Sequence, residues 1–223
     1  MSRMLVRRSV WLLFGFLGMT ARAGQGQISL AARASTLGMG AELSFRAGRN
    51  LGIRLGGNYL QFSHDATIED ISYHVTPHLE NGTAILDLHP FGTSFHFSGG
   101  LLLNYNDGRL IATLAHDVDI GGTTYHPQDV GSLTGTVTFN QTAPYLGFGF
   151  AGRSRIALLF DLGVGFTGKP IVELVGTTNL TGQAKEEFDA NVERERSEVQ
   201  TEIDQHKILR YHPVVSFGIK FAF

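Results

Sequence analysis

The stretch Tyr211-His212-Pro213-Val214-Val215-Ser216-Phe217-Gly218-Ile219-Lys220-Phe221-Ala222-Phe223 alternates without a break. Successive side chains of a strand point to opposite sides, so Tyr211, Pro213, Val215, Phe217, Ile219, Phe221 and Phe223 share one face. His212, Val214, Ser216, Gly218, Lys220 and Ala222 share the other. One face is apolar and ends in aromatics; the other is mixed, small and charged. That polarity suits a strand whose outer face meets lipid and whose inner face lines a barrel.

The same period recurs upstream. Leu37, Met39, Ala41, Leu43 and Phe45 alternate with polar and small residues, and the link Ala47–Asn50 turns the chain into Leu51–Tyr59. Ala84–Leu88 and Phe95–Tyr105 flank the link His89–Ser94, and Pro144–Phe150 and Ile156–Phe166 flank Ala151–Arg155. Ile28, Leu30, Ala32 and Ala34 form one further apolar face, whose phase breaks at Ser35-Thr36. A tight turn there predicts eight strands, the even count of a membrane barrel. Short links alternate with long polar ones at about 63–71, 106–131 and 167–210, the asymmetry of periplasmic turns and external loops. The last long link contains 184–209, without Gly or Pro and dense in charge, with Phe188, Val192, Val199 and Ile203 at helical spacing. It predicts a charged helical insert. The expected fold is thus all-β: a closed, antiparallel, eight-stranded, up-and-down transmembrane barrel with long external loops, one of them carrying a charged helix.

The N-terminus has Arg3, Arg7 and Arg8, an apolar run over Val10–Met19 and the small-x-small site Ala21-Arg22-Ala23. This predicts a cleaved export signal over 1–23 and a mature barrel over 24–223, because the run is shorter than the roughly 20 residues a spanning helix needs. Losing four arginines leaves six more acidic than basic residues. The chain is therefore not basic enough for nucleic acid. The absence of cysteine suits passage through an oxidising compartment.

Every charge within the alternating segments falls on the face opposite the apolar one: Arg33, Glu42, Arg46, Arg54, Asp87, Asp161 and Lys220. Charge on the lipid face would cost about 2–4 kcal/mol per Arg or Lys near the midplane. Buried charges must pair. An eight-stranded barrel is just wide enough for side chains to fill. The expectation is a lumen plugged by an ion-pair network of these seven residues. Leu60, Phe62 and Leu102 are the inward apolar residues that would line a small apolar ligand site.

His96-Phe97-Ser98 puts an imidazole and a hydroxyl on the inner face, beside a short link. The spacing is superficially that of lipid A deacylase barrels, whose catalytic groups face lipid, so these two read as lumen packing. His74, His78, His116 and His126 lie in external regions near Asp117, Asp119 and Asp129, without a recognisable ligand spacing. The sequence therefore predicts no catalytic residue, no metal site and no cofactor.

On Ala21-Arg22-Ala23, the strand Leu37–Arg46 with its short turn, and Tyr211–Phe223, the chain resembles the small outer-membrane β-barrels of Gram-negative bacteria, the superfamily of the OmpA transmembrane domain, OmpX and OmpW. The runs Thr36–Gly40 and Tyr211–Ser216 look like those of uncharacterised proteobacterial barrels. The resemblance implies residence in the outer membrane, reached through the periplasm. It also implies contact with outer-membrane lipid and lipopolysaccharide, and recognition by the assembly machinery through a terminal aromatic signal, Phe221 and Phe223. Its leading functional implication is a porin-like but non-enzymatic envelope or surface protein. The alternative is OmpW-like binding or uptake of a small apolar molecule through the external mouth.

Overall fold

The computed structural model describes residues 27–68, 71–113 and 117–223; the expected export signal at 1–23 lies outside the described residues. The elements in order are β1 (Gln27–Ser35), β2 (Gly38–Ala47), β3 (Leu51–Gln61), β4 (His64–Ile68), β5 (Ile71–Leu88), β6 (Phe95–Asn104), β7 (Asp107–Thr113), β8 (Val118–Ile120), β9 (Thr123–Tyr125), β10 (Val130–Thr138), β11 (Thr142–Ala151), β12 (Ile156–Gly165), β13 (Ile171–Thr178), α1 (Gln183–Gln205) and β14 (His212–Ala222).

Eight of these strands, β1, β2, β3, β5, β6, β11, β12 and β14, pair antiparallel in that order, and β14 closes on β1. Closure leaves no open edge, which hydrocarbon demands because it offers backbone groups no hydrogen bonds. The phase break at Ser35-Thr36 is a tight turn: Ser35 Oγ accepts from the Leu37 amide at 3.1 Å and donates to the Gly38 carbonyl at 3.0 Å. One correction follows. Alternation put Leu37 on the lipid face, but it sits in the turn ahead of β2 and folds inward, 5% exposed.

The outer wall is apolar. Met39, Leu43, Phe45, Ile53, Leu55, Leu86, Phe97, Leu146, Phe150, Leu158, Phe217 and Ile219 are all exposed. Aromatic rings pack on one another across this wall, Phe95 with Phe97 and Phe150, and Phe160 with Phe217. Most barrel strands are 9–11 residues long, the length that crosses a bilayer when tilted. No helix is long and apolar enough to do so. The closed wall and its apolar belt make this an integral outer-membrane β-barrel.

At the end with the long links, one side of the wall continues upward. β5 runs for 18 residues: Asn81–Leu88 pairs with β6, whereas Ser72–His78 pairs with β7. β10 then pairs with β7, and β13 with β10. β7 and β13, inside links read from sequence as loops, and β10, which begins at the end of one of them, therefore build a half-collar of sheet above the barrel. Charged α1 packs against β13, and its Gln200 accepts from the Val172 amide at 2.9 Å and donates to the Pro170 carbonyl at 3.1 Å. The helix thus covers an edge strand that would otherwise present unpaired groups. Phe188 and Val192 of α1 join Ile120, Tyr125 and Val130 in a second hydrophobic core, separate from the lumen. The helix spans Gln183–Gln205 and ends short of the expected 209; Lys207–Arg210 is a separate 3-10 turn.

Candidate functional site: the barrel lumen

Alternation sends every second side chain inward, and the register of β1, β2, β3, β5 and β12 brings five lumen charges to one level. Arg54 on β3 is the hub. Its Nε and Nη2 reach Asp87 Oδ2 and Oδ1 at 2.6 and 3.0 Å, and its Nη1 reaches Glu42 Oε2 at 3.3 Å. The Nε contact lies off the N–H direction, so it is one of charge rather than an aligned hydrogen bond. Nη2 also lies 3.3 Å from Asp161 Oδ1 and donates to Ser98 Oγ at 3.0 Å.

Arg33 on β1 pairs with Glu42 Oε2 at 2.6 Å and with Asp161, and donates to Ser216 Oγ at 3.0 Å. Asp161 Oδ1 also lies 2.8 Å from His96 Nε2, and Ser98 donates to Asp87 at 2.7 Å. These five charged side chains are all less than a tenth exposed. At such burial, desolvation would outweigh the attraction of any single pair, so a shared network of charges and hydroxyls is the arrangement that holds them.

Glycine makes the room. A Cβ on inward Gly149 would meet His96 Nε2 at 2.9 Å, and one on Gly163 would meet the Tyr145 ring at 2.6 Å. Large side chains from one strand thus lie over glycines of the next.

An apolar layer caps the charged one: Leu37, Ile85, Leu102, Ala143, Tyr145 and Val214 are buried together. Above it Asn81 donates to the Leu37 carbonyl and to Asn106 Oδ1, both at 3.0 Å. A cavity of about 30 Å³ lies between the apolar layer and the ion pairs, and one of about 40 Å³ lies on the side of the short links. Each has room for about two to four water molecules.

The structure thus brings together Arg33, Glu42, Arg54, Asp87 and Asp161 of the seven predicted lumen residues. Arg46 and Lys220 lie one level nearer the short links and, among the described residues, reach no carboxylate within 4 Å. Arg46 donates to His89 Nδ1 at 2.6 Å, and Lys220 donates to the Gly152 carbonyl at 2.7 Å. The three apolar candidates do not form one lining. Leu102 is sealed in the apolar layer, Leu60 is half-buried near the end of β3, and Phe62 lies past that strand and is exposed. His96 and Ser98 serve the network from the inner face.

Sequence reasoning missed Tyr145, Ser216 and Ile85. Their inward parity was legible, but their level along the axis was not. Phe221 and Phe223 stand on the outer wall, and the Phe223 amide bonds to the Ile28 carbonyl at 2.9 Å. Among the described residues, no group of three or more His, Asp or Glu side chains is placed to hold a metal ion.

A lipid-exposed wall, a packed polar interior and a half-collar define the class: a small, closed, eight-stranded outer-membrane barrel. No model of a known protein family matches the chain, and comparison with curated proteins finds no match. Among solved structures it is similar to CarO2 and CarO of Acinetobacter baumannii. For CarO2 the identity is 21% and for CarO 22%; both align with a TM-score of 0.57, over 88% of this chain and 98% of theirs. At that identity the likeness is one of fold.

Proposed function

We propose that this protein is a non-enzymatic surface barrel whose lumen is closed by its ion-pair network and whose collar carries α1 outside the cell. The observation that carries the reading is the Arg33–Glu42–Arg54–Asp87–Asp161 network, buried across the lumen between cavities of only about 30 and 40 Å³. Nothing larger than a few water molecules fits between these layers. The outer face of α1 exposes Glu186, Glu187, Asp189, Glu193, Glu198 and Glu202, a strongly anionic surface. In this reading lipopolysaccharide surrounds the external rim, and the assembly machinery reads the last strand through Phe221 and Phe223.

Planar-bilayer conductance tests the closure. The parent should be silent, whereas the double variant Arg54→Ala, Asp87→Ala should open, because it removes the hub and its main partner together. Steady conductance by the parent would overturn the reading and favour passage of solutes.

A further inference from the structure

The cavity beside the short links has an unusual balance of charge. It is lined by Gln27, Ser29, Ser44, Arg46, His89 and Lys220, with Arg54, Asp87, Glu42 and His96 forming its roof. The two roof carboxylates are taken up by Arg54 and Arg33. Among the described residues, Arg46 and Lys220 have no carboxylate within 4 Å. Lys220 is only 7% exposed, yet its ammonium, which carries three donors, makes one hydrogen bond among the described residues, to the Gly152 carbonyl. Arg153 adds a further cation at the same end, donating to the Gly92 carbonyl at 2.6 Å.

Sequence removes the usual escape. The three short links 47–50, 89–94 and 152–155 contain Arg49, Arg153 and Arg155 but no Asp or Glu. Burying an ammonium beside a guanidinium is costly unless a negative charge joins them. Gly52 forms part of the chamber wall: a Cβ there would be in ordinary contact with Asp87 Cβ at 3.5 Å, Asp87 Oδ2 at 3.7 Å and His89 Nε2 at 3.8 Å, so a larger side chain would project into the chamber.

We propose that this chamber is a binding site for one small oxoanion of the phosphate or sulfate class, held by Lys220 and Arg46 with Ser29 and Ser44 as neutral partners. A volume of about 40 Å³ admits a single tetrahedral ion in place of about three water molecules.

The test is urea unfolding of the barrel extracted from outer membranes, followed by its gel mobility, with inorganic phosphate or with chloride at matched ionic strength. A ligand that binds only the folded state raises the midpoint with its concentration. Phosphate should raise the parent's midpoint and chloride should not. The shift should vanish in Lys220→Met and Arg46→Gln, and in Gly52→Val, which fills the chamber while keeping every charge. An equal shift in all three variants would place phosphate elsewhere and overturn the proposal, as would no shift in the parent. A shift with phosphatidylglycerol micelles but not with inorganic phosphate would also overturn it, assigning the effect to lipid headgroups at Arg49, Arg153 and Arg155.

Discussion

At the scale of single residues, Asp161 shows how far the lumen depends on shared partners. It meets Arg33, Arg54 and His96 at once. Asp161→Ala takes one carboxylate away from Arg33, Arg54 and His96 together, leaving only Glu42 and Asp87 to pair the two guanidinium groups, and breaking such a buried network by removing one member costs about 3–5 kcal/mol. A matching fall in stability is expected in urea unfolding followed by circular dichroism, with a smaller fall for Asp161→Asn. An unchanged midpoint would mean that the network holds little energy.

A different electrostatic regime applies outside the membrane. His126 Nδ1 bonds Asp117 Oδ1 at 2.7 Å, and this bond, with the carboxylate's charge, raises the His126 pKa. The folded state therefore holds that proton more tightly than the unfolded chain does. The gain is fully present below the ordinary histidine value of about 6.5 and is lost as pH rises through the raised value. An NMR titration should show a midpoint above that of a free histidine, returning towards it in Asp117→Asn.

At the scale of elements, the collar and the barrel wall are stabilised by different things. The wall is held by a closed ladder of backbone bonds. The collar is held by the small core under α1, where Phe188 is fully buried against Tyr125, ring centroids 5.2 Å apart. Asn191 ties the helix to the β8–β9 hairpin through Tyr125 Oη at 2.8 Å and Thr123 Oγ1 at 3.0 Å. Gly121, at φ +57°, lets the hairpin come close enough for its amide to bond Glu195 at 3.0 Å. Phe188→Ala should cost about 3–5 kcal/mol. That loss should fall on the collar alone. Hydrogen exchange should show α1 and β13 losing protection while the barrel amides keep theirs, and simultaneous loss from both would show one cooperative unit.

For the whole molecule, the question is whether a barrel this narrow passes anything. The conductance test belongs at this scale, because closure depends on side chains from β1, β2, β3, β5 and β12 meeting at one level, not on any one of them. The apolar layer of Leu37, Ile85, Leu102, Tyr145 and Val214 stays above the breach in both the single and the double variant, and only the breach below it widens when the second side chain is removed. Openings are therefore expected to be brief in Arg54→Ala alone and longer-lived when Asp87→Ala is added.

The order of strands, their inward and outward faces and the sorting of charge were legible in the sequence, because a two-residue period is a local property and lipid penalises every exception. The Ser35-Thr36 turn was legible as a break in that period. The level of each lumen residue along the axis was not legible, since it is set by the register with which β14 meets β1 and β6 meets β11. Hence Arg46 and Lys220, on the correct face, lie one level away from the carboxylates assigned to them. The collar was also hidden: β7 and β13 lie within links read as polar loops, and most of β10 lies in a stretch that no alternating segment claimed. They become strands only because the upper half of β5 offers them an edge and α1 buries one end of their inner face. Local chemistry fixed which way each side chain points, and only closure of the barrel decided which side chains meet.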